Sequence, residues 1–132
     1  MTIAEIFEKK GENFFRKEKG LRMLFRTTRI FKEAQCLLEK GDILIEQLPR
    51  GYGYLADQLR RASTSIILNF AEGNGKKGLK ERQRFFRIAK GSLYEVAAVY
   101  DVALSFGFIE TSFHEKVIDR CDYIAAMLGK WR

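Results

Sequence analysis

The groups of strongest chemical character in this 132-residue sequence are cations, and they recur at helical spacing. From Arg16 to Lys32 seven lysines and arginines accompany the single carboxylate of Glu18, and from Lys76 to Lys90 another seven accompany Glu81 alone. Arg22, Arg26 and Arg29 stand at i, i+4 and i+7. Lys80, Arg84 and Arg87 do the same, with Lys77 one turn earlier and Lys76 beside it. On a helix each trio shares one face, making a ridge that can neutralise phosphates and bind nucleic acid by releasing counterions. The same pattern also describes a plain solvated face. The aromatic residues fall mostly on the apolar faces, so no base-stacking platform is predicted.

A second set of residues is polar without being an obvious reaction centre. Arg61, Ser65 and Asn69 repeat at i, i+4 and i+8, Glu72 follows three later, and Ser92 and Glu95 are i, i+3 neighbours. Opposed stripes of this kind predict a hydrogen-bonded network that fixes helix register. Catalysis needs a nucleophile beside a base, or a poised acid–base pair, and the sole histidine, His114, lies far along the chain. The reading is therefore structural, and no enzyme is expected; Asn69, Glu72 and Glu95 are the groups to inspect for the contrary. Gly73-Asn74-Gly75-Lys76-Lys77-Gly78 lacks the preceding strand, the spacing and the Ser/Thr of a phosphate loop. It reads as a helix stop with a left-handed glycine cap whose lysines remain available to an anion. Cys36, Cys121 and His114 have no metal-ligand spacing, so neither metal nor cofactor is expected. Both cysteines fall in apolar helical patterns, as buried free thiols in a reducing compartment would.

The elements that must position these residues are helices. Pro49 is the only proline, and 46% of residues are apolar, enough for one domain with a core. The periodicity predicts an amphipathic helix over Ile3–Glu18 and a long helix over Leu21–Leu48 that Gly41-Asp42 could break. Further helices are predicted over Tyr54–Glu72 and about Leu79–Phe106, with a last one capped by Thr111 or Ser112. Short turns between them favour an all-α, antiparallel up-down-up-down four-helix bundle over 21–132, with residues 1–20 as an N-terminal helical extension. The net charge of +7 and pI near 9.5 point to a polyanionic partner. There is no apolar run of membrane-spanning length and no signal core, so a cytoplasmic location without membrane contact is expected. Phe14, Phe15, Met23, Phe25 and Trp131 add apolar residues beyond what four helices need, which predicts burial between copies of the chain.

The segment from Gln58 through Arg60, Arg61, Ser65, Asn69 and Glu72 to Gly73 resembles the signature of the bacterial four-helix bundle family. That family is also named for proteins encoded by intervening sequences in 23S ribosomal RNA genes. The resemblance runs on through Lys80-Glu81, Phe85 to Glu95 and Phe106-Gly107-Phe108-Ile109, and spans about 100 residues from roughly Arg29 onward. It implies an antiparallel bundle that assembles into rings, typically homopentamers. Related accessory proteins of diversity-generating retroelements bind nucleic acid and a reverse transcriptase. Arg60, Arg61, Ser65, Asn69, Glu72, Ser92 and Glu95 carry over as signature positions with a structural role. Ile67 stands where a proline is frequent, implying a straighter helix, and Lys90 where arginine is common. A shorter stretch, Ile3 to Glu8 with Gly11-Glu12 and Phe15-Arg16, is similar to the substrate-binding helix region of shikimate kinase, but the chain lacks that family's phosphate loop and parallel sheet. The expectation is a homo-oligomer binding RNA or DNA through its basic helix faces; the alternative is an adaptor that docks an acidic protein such as a reverse transcriptase.

Overall fold

The structure, a computed structural model, describes residues 2, 3, 5 and 23–132. Four helices make up the body: α1 (Arg29–Gln47), α2 (Gly53–Asn74), α3 (Leu79–Ser105) and α4 (Thr111–Lys130). Among the described residues there is no strand. Helices adjacent in sequence pack against each other, and α1 also packs on α4, so the four close into a bundle. The connections are short, which makes neighbours antiparallel.

Each helix buries one stripe: Ile30, Leu37 and Leu44 from α1, Leu59, Ile66 and Phe70 from α2, Leu93, Val96 and Tyr100 from α3, and Val117, Ile124 and Leu128 from α4. At one end, Tyr52 of the α1–α2 turn packs edge-on against Phe108 of the α3–α4 turn, ring centroids 4.7 Å apart, with Phe106 at 5.6 Å. Gly51 (φ +97°) and Gly107 (φ +77°) take the left-handed turns that those connections need. After α3, Phe108 N–H donates to the Ala103 carbonyl and Gly107 N–H to that of Leu104, which satisfies two otherwise unpaired carbonyls.

Several sequence expectations are corrected. The helix foreseen from Leu21 begins only at Arg29. Leu24–Thr27 form a 3-10 turn, and Thr28, extended at ψ 153°, caps α1 by accepting a hydrogen bond from Phe31 N–H through Oγ1. Gly41 does not break α1; it is buried, and a Cβ there would stand 3.5 Å from Leu59. The α2 helix continues to Asn74, and its cap Gly75 is right-handed (φ −83°), so the expected left-handed glycine is absent from this turn. The cap of α4 is Glu110, without a side-chain hydrogen bond, rather than Thr111 or Ser112. Phe25 and Trp131 pack against the chain's own core, so they are not spare surface. Met23 is exposed, while Phe14 and Phe15 lie outside the described residues. So do most of the N-terminal helix and its kinase-like stretch, although Thr2 and Glu5 exchange hydrogen bonds in a capping box at its start.

Candidate nucleic-acid interface

Packing decides where the cations of α3 point. Phe85, Phe86, Ala89, Leu93 and Val96 turn inward, which leaves Lys80, Arg84 and Arg87 exposed on the opposite face, with Lys77 exposed in the turn just before. Among the described residues no carboxylate lies within ion-pair distance of Lys77, Lys80 or Arg87. Arg84 differs. It donates to both carboxylate oxygens of Glu81, at 2.8 and 3.3 Å, and its guanidinium carbon lies 4.4 Å from the Phe85 ring centroid. Those hydrogen bonds hold the Glu81 carboxyl below its ordinary pKa and raise that of Arg84. Lys76, half-buried, lies 3.9 Å from Glu72 and 5.4 Å from the same Phe85 ring.

Not every cation of this segment joins the ridge. Arg82 donates to the main-chain carbonyls of Asn74, Lys76 and Arg132, so it ties the end of α2 to the segment after α4. The other expected ridge is not formed. Arg22 lies outside the described residues, Arg26 sits in the 3-10 turn and Arg29 opens α1, so Arg26 and Arg29 do not share a helix. Arg29 is also engaged. It donates to Glu33, which is half-buried against a second cation, Arg120 of α4, and it lies over the Tyr123 ring.

The polar stripe forms in its middle only. Ser65 and Ser92 hydroxyls are 2.7 Å apart across the α2–α3 seam, and Asn69 Nδ2 donates to the Ser65 carbonyl and hydroxyl at 2.9 and 3.0 Å. Glu95 accepts instead from Gln58 at 2.8 Å, Glu72 turns to Lys76, Arg60 lies 3.8 Å from Asp57, and Arg61 is exposed. His114 bonds to Asp101 Oδ1 at 2.7 Å, about 13 Å along α3 from Ser92 at 1.5 Å per residue. The Ser65–Ser92 pair and the imidazole therefore lie apart.

One cleft was not foreseen. Between the first turns of α3 and the end of α4 lies a recess of about 270 Å³, lined by Gln83, Phe86, Arg87, Lys90, Leu128, Gly129, Trp131 and Arg132. Its walls are partly built by the Trp131 indole, which packs on Phe70 (centroids 5.5 Å apart) and donates Nε1–H to Asn74 Oδ1 at 3.2 Å. The sequence signals available were Arg87 and Lys90, both in the cationic segment; Trp131 and Arg132 are 41 and 42 positions beyond Lys90.

No curated protein matches the chain. Among solved structures it is similar to a crystal structure from Bacteroides thetaiotaomicron VPI-5482, described as a protein of unknown function from the S23 ribosomal protein family. The TM-score is 0.68 and the identity 16%, over 75% of this chain and 94% of that one. That likeness shows the shared bundle fold alone. The sequence pattern of the 23S rRNA-intervening sequence protein family matches residues 26–130, which include all four helices and both the polar seam and the α3 ridge. The chain is therefore a member of the 23S rRNA-intervening sequence protein family.

Proposed function

We propose that this chain is a non-enzymatic, homo-oligomeric interaction protein that binds RNA or DNA through the first turns of α3. The observation that carries the reading is the row Lys77, Lys80, Arg84 and Arg87, exposed on one side and opposed only by Glu81. From Lys80 to Arg87 the row rises about 10 Å, matching two or three consecutive phosphates of one strand. The polar seam favours a structural role over catalysis, because Ser65, Ser92 and Asn69 bond to one another.

Self-association is supported by the lower half of the same helix face, where Gly91, Tyr94, Ala98 and Val102 are exposed, Tyr94 by 62%. Binding is tested by titrating labelled single- and double-stranded RNA and DNA between 50 and 200 mM salt. A linear fall of log K with log salt that is reduced by Lys80→Gln supports the reading. No binding to any of the four at 50 mM salt overturns it.

A further inference from the structure

We infer that the cleft between α3 and α4 is a nucleotide site that receives one unstacked base and its phosphate from a single strand lying on the α3 ridge. This rests on the nucleic-acid reading above and names the class of ligand that the reading leaves open. The chemistry of the lining is two-sided. Arg87, Lys90 and Arg132 supply three cations, and no carboxylate side chain contributes to the wall. Half-buried Trp131 supplies an apolar surface beside them, backed by the buried Phe86 and Leu128. A bare inorganic anion would leave that surface without a partner, and an apolar ligand would desolvate the cations without compensating them. A nucleotide presents both halves, a planar base and a charged phosphate.

The rival explanation is that these cations serve only the C-terminal end of α4, where unpaired carbonyls carry partial negative charge. Arg132 does donate to the carbonyls of Gly129 and Trp131, at 3.4 and 3.2 Å. A helix terminus, however, amounts to about half an elementary charge, against three full charges around the recess, so a positive excess remains. Position and size support the same occupant. Arg87 belongs to both the ridge and the cleft, so a backbone tracking Lys80 and Arg87 arrives at its mouth. The volume of about 270 Å³ lies just below the usual range of small-molecule sites, room for no more than a single nucleotide and too little for a helix or a duplex. Gly129 keeps the wall low beside Lys90, whose Nζ lies 4.0 Å from where a Cβ would stand.

Trp131 is the only tryptophan in the chain, so its fluorescence reports on the cleft directly. The full chain is titrated with AMP, UMP, adenosine and inorganic phosphate, and separately with single-stranded and duplex RNA of equal length. A saturable change with AMP or UMP, much weaker with adenosine or phosphate, is expected. Lys90→Gln should weaken single-strand binding about tenfold, as loss of a charge-assisted contact does, and leave duplex binding within about twofold. Lys80→Gln should weaken both strand forms alike. If both RNA forms bind and Trp131 stays silent, or Lys90→Gln weakens both equally, the cleft assignment fails while the ridge stands. If AMP and UMP perturb Trp131 but neither RNA binds, the ridge reading fails and the nucleotide site stands without it. Silence to every ligand overturns the cleft assignment. Arg132→Gln repeats the test at a position outside the helices, where a folding defect is not expected.

Discussion

Glu81 offers a test in which the variant should bind better than the native chain, an outcome that misfolding cannot imitate. It is the single carboxylate on the α3 ridge, and it occupies Arg84 with two hydrogen bonds. With Arg84 so held, three cations remain to meet phosphates: Lys77, Lys80 and Arg87. Each phosphate neutralised on a duplex contributes about −0.9 to the slope of log K against log salt. Three contacts give about −2.7, so affinity should fall about 40-fold between 50 and 200 mM salt. Glu81→Gln removes the charge, keeps the shape and releases Arg84. Four contacts give about −3.6 and a fall of about 150-fold over the same range, from a tighter starting point. The assay is fluorescence anisotropy with a labelled duplex at five or more salt concentrations. An unchanged slope, or weaker binding at 50 mM with circular dichroism unaltered, would refute the assignment of Arg84 to the interface.

Gly73→Ala should destabilise the fold by about 1–3 kcal/mol in urea titration, because its Cβ would lie 2.5 Å from Phe86 Cε1 and 3.1 Å from the Arg82 carbonyl. Thr28→Ala should cost about 1 kcal/mol by the same measurement, since it removes the only side-chain cap found on the four bundle helices. Stability should also fall above pH 9. Burial pushes the Cys121 thiol up to about 12 from 9.0, and raises the Tyr100 hydroxyl too. The folded state therefore holds protons that the unfolded chain releases, so the Cys121 contribution is complete below pH 9 and is lost as pH rises toward 12, while that of Tyr100 begins to be lost only above pH 10, at about 1.4 kcal/mol per pH unit for each group. Melting curves from pH 8 to 11 check this, and Cys121→Ala should flatten them. Tyr94→Glu should lower the mass in light scattering if the exposed half of α3 carries self-association; an unchanged mass excludes that face.

The sequence made α3 legible because its apolar residues hold one phase across about five turns, from Phe85 to Ala103. Given that phase, the outward direction of Lys80, Arg84 and Arg87 follows. The start of α1 was not legible from periodicity, since Leu24 and Phe25 continue the spacing of Ile30 and Phe31. What ends the helix there is local chemistry. The Thr28 hydroxyl donates to the Phe25 carbonyl and accepts from Phe31 N–H, which holds residue 28 extended. Arg82 could not be told from its neighbours by type. Only the fold shows that its guanidinium faces the carbonyls of Asn74, Lys76 and Arg132, the last 50 residues away, rather than solvent. Glu33 with Arg120 is likewise 87 positions apart. The cleft belongs to this class, because a recess made by the sides of two helices leaves no periodic trace in either. The Ser65–Ser92 contact was legible because both stripes obey the helix period; the outer members of those stripes were not, because exposed side chains choose among several partners.

The two ends of the bundle are chemically unlike. Aromatic rings of the α1–α2 and α3–α4 turns close one end, while the opposite end carries the ridge, the recess and the Arg82 tie. Rotational symmetry would therefore set every copy's cationic tip at the same height and the same radius. A polymer wrapping that circle would meet tip after tip at fixed intervals, and its hold would grow with the number engaged far faster than any one tip could supply.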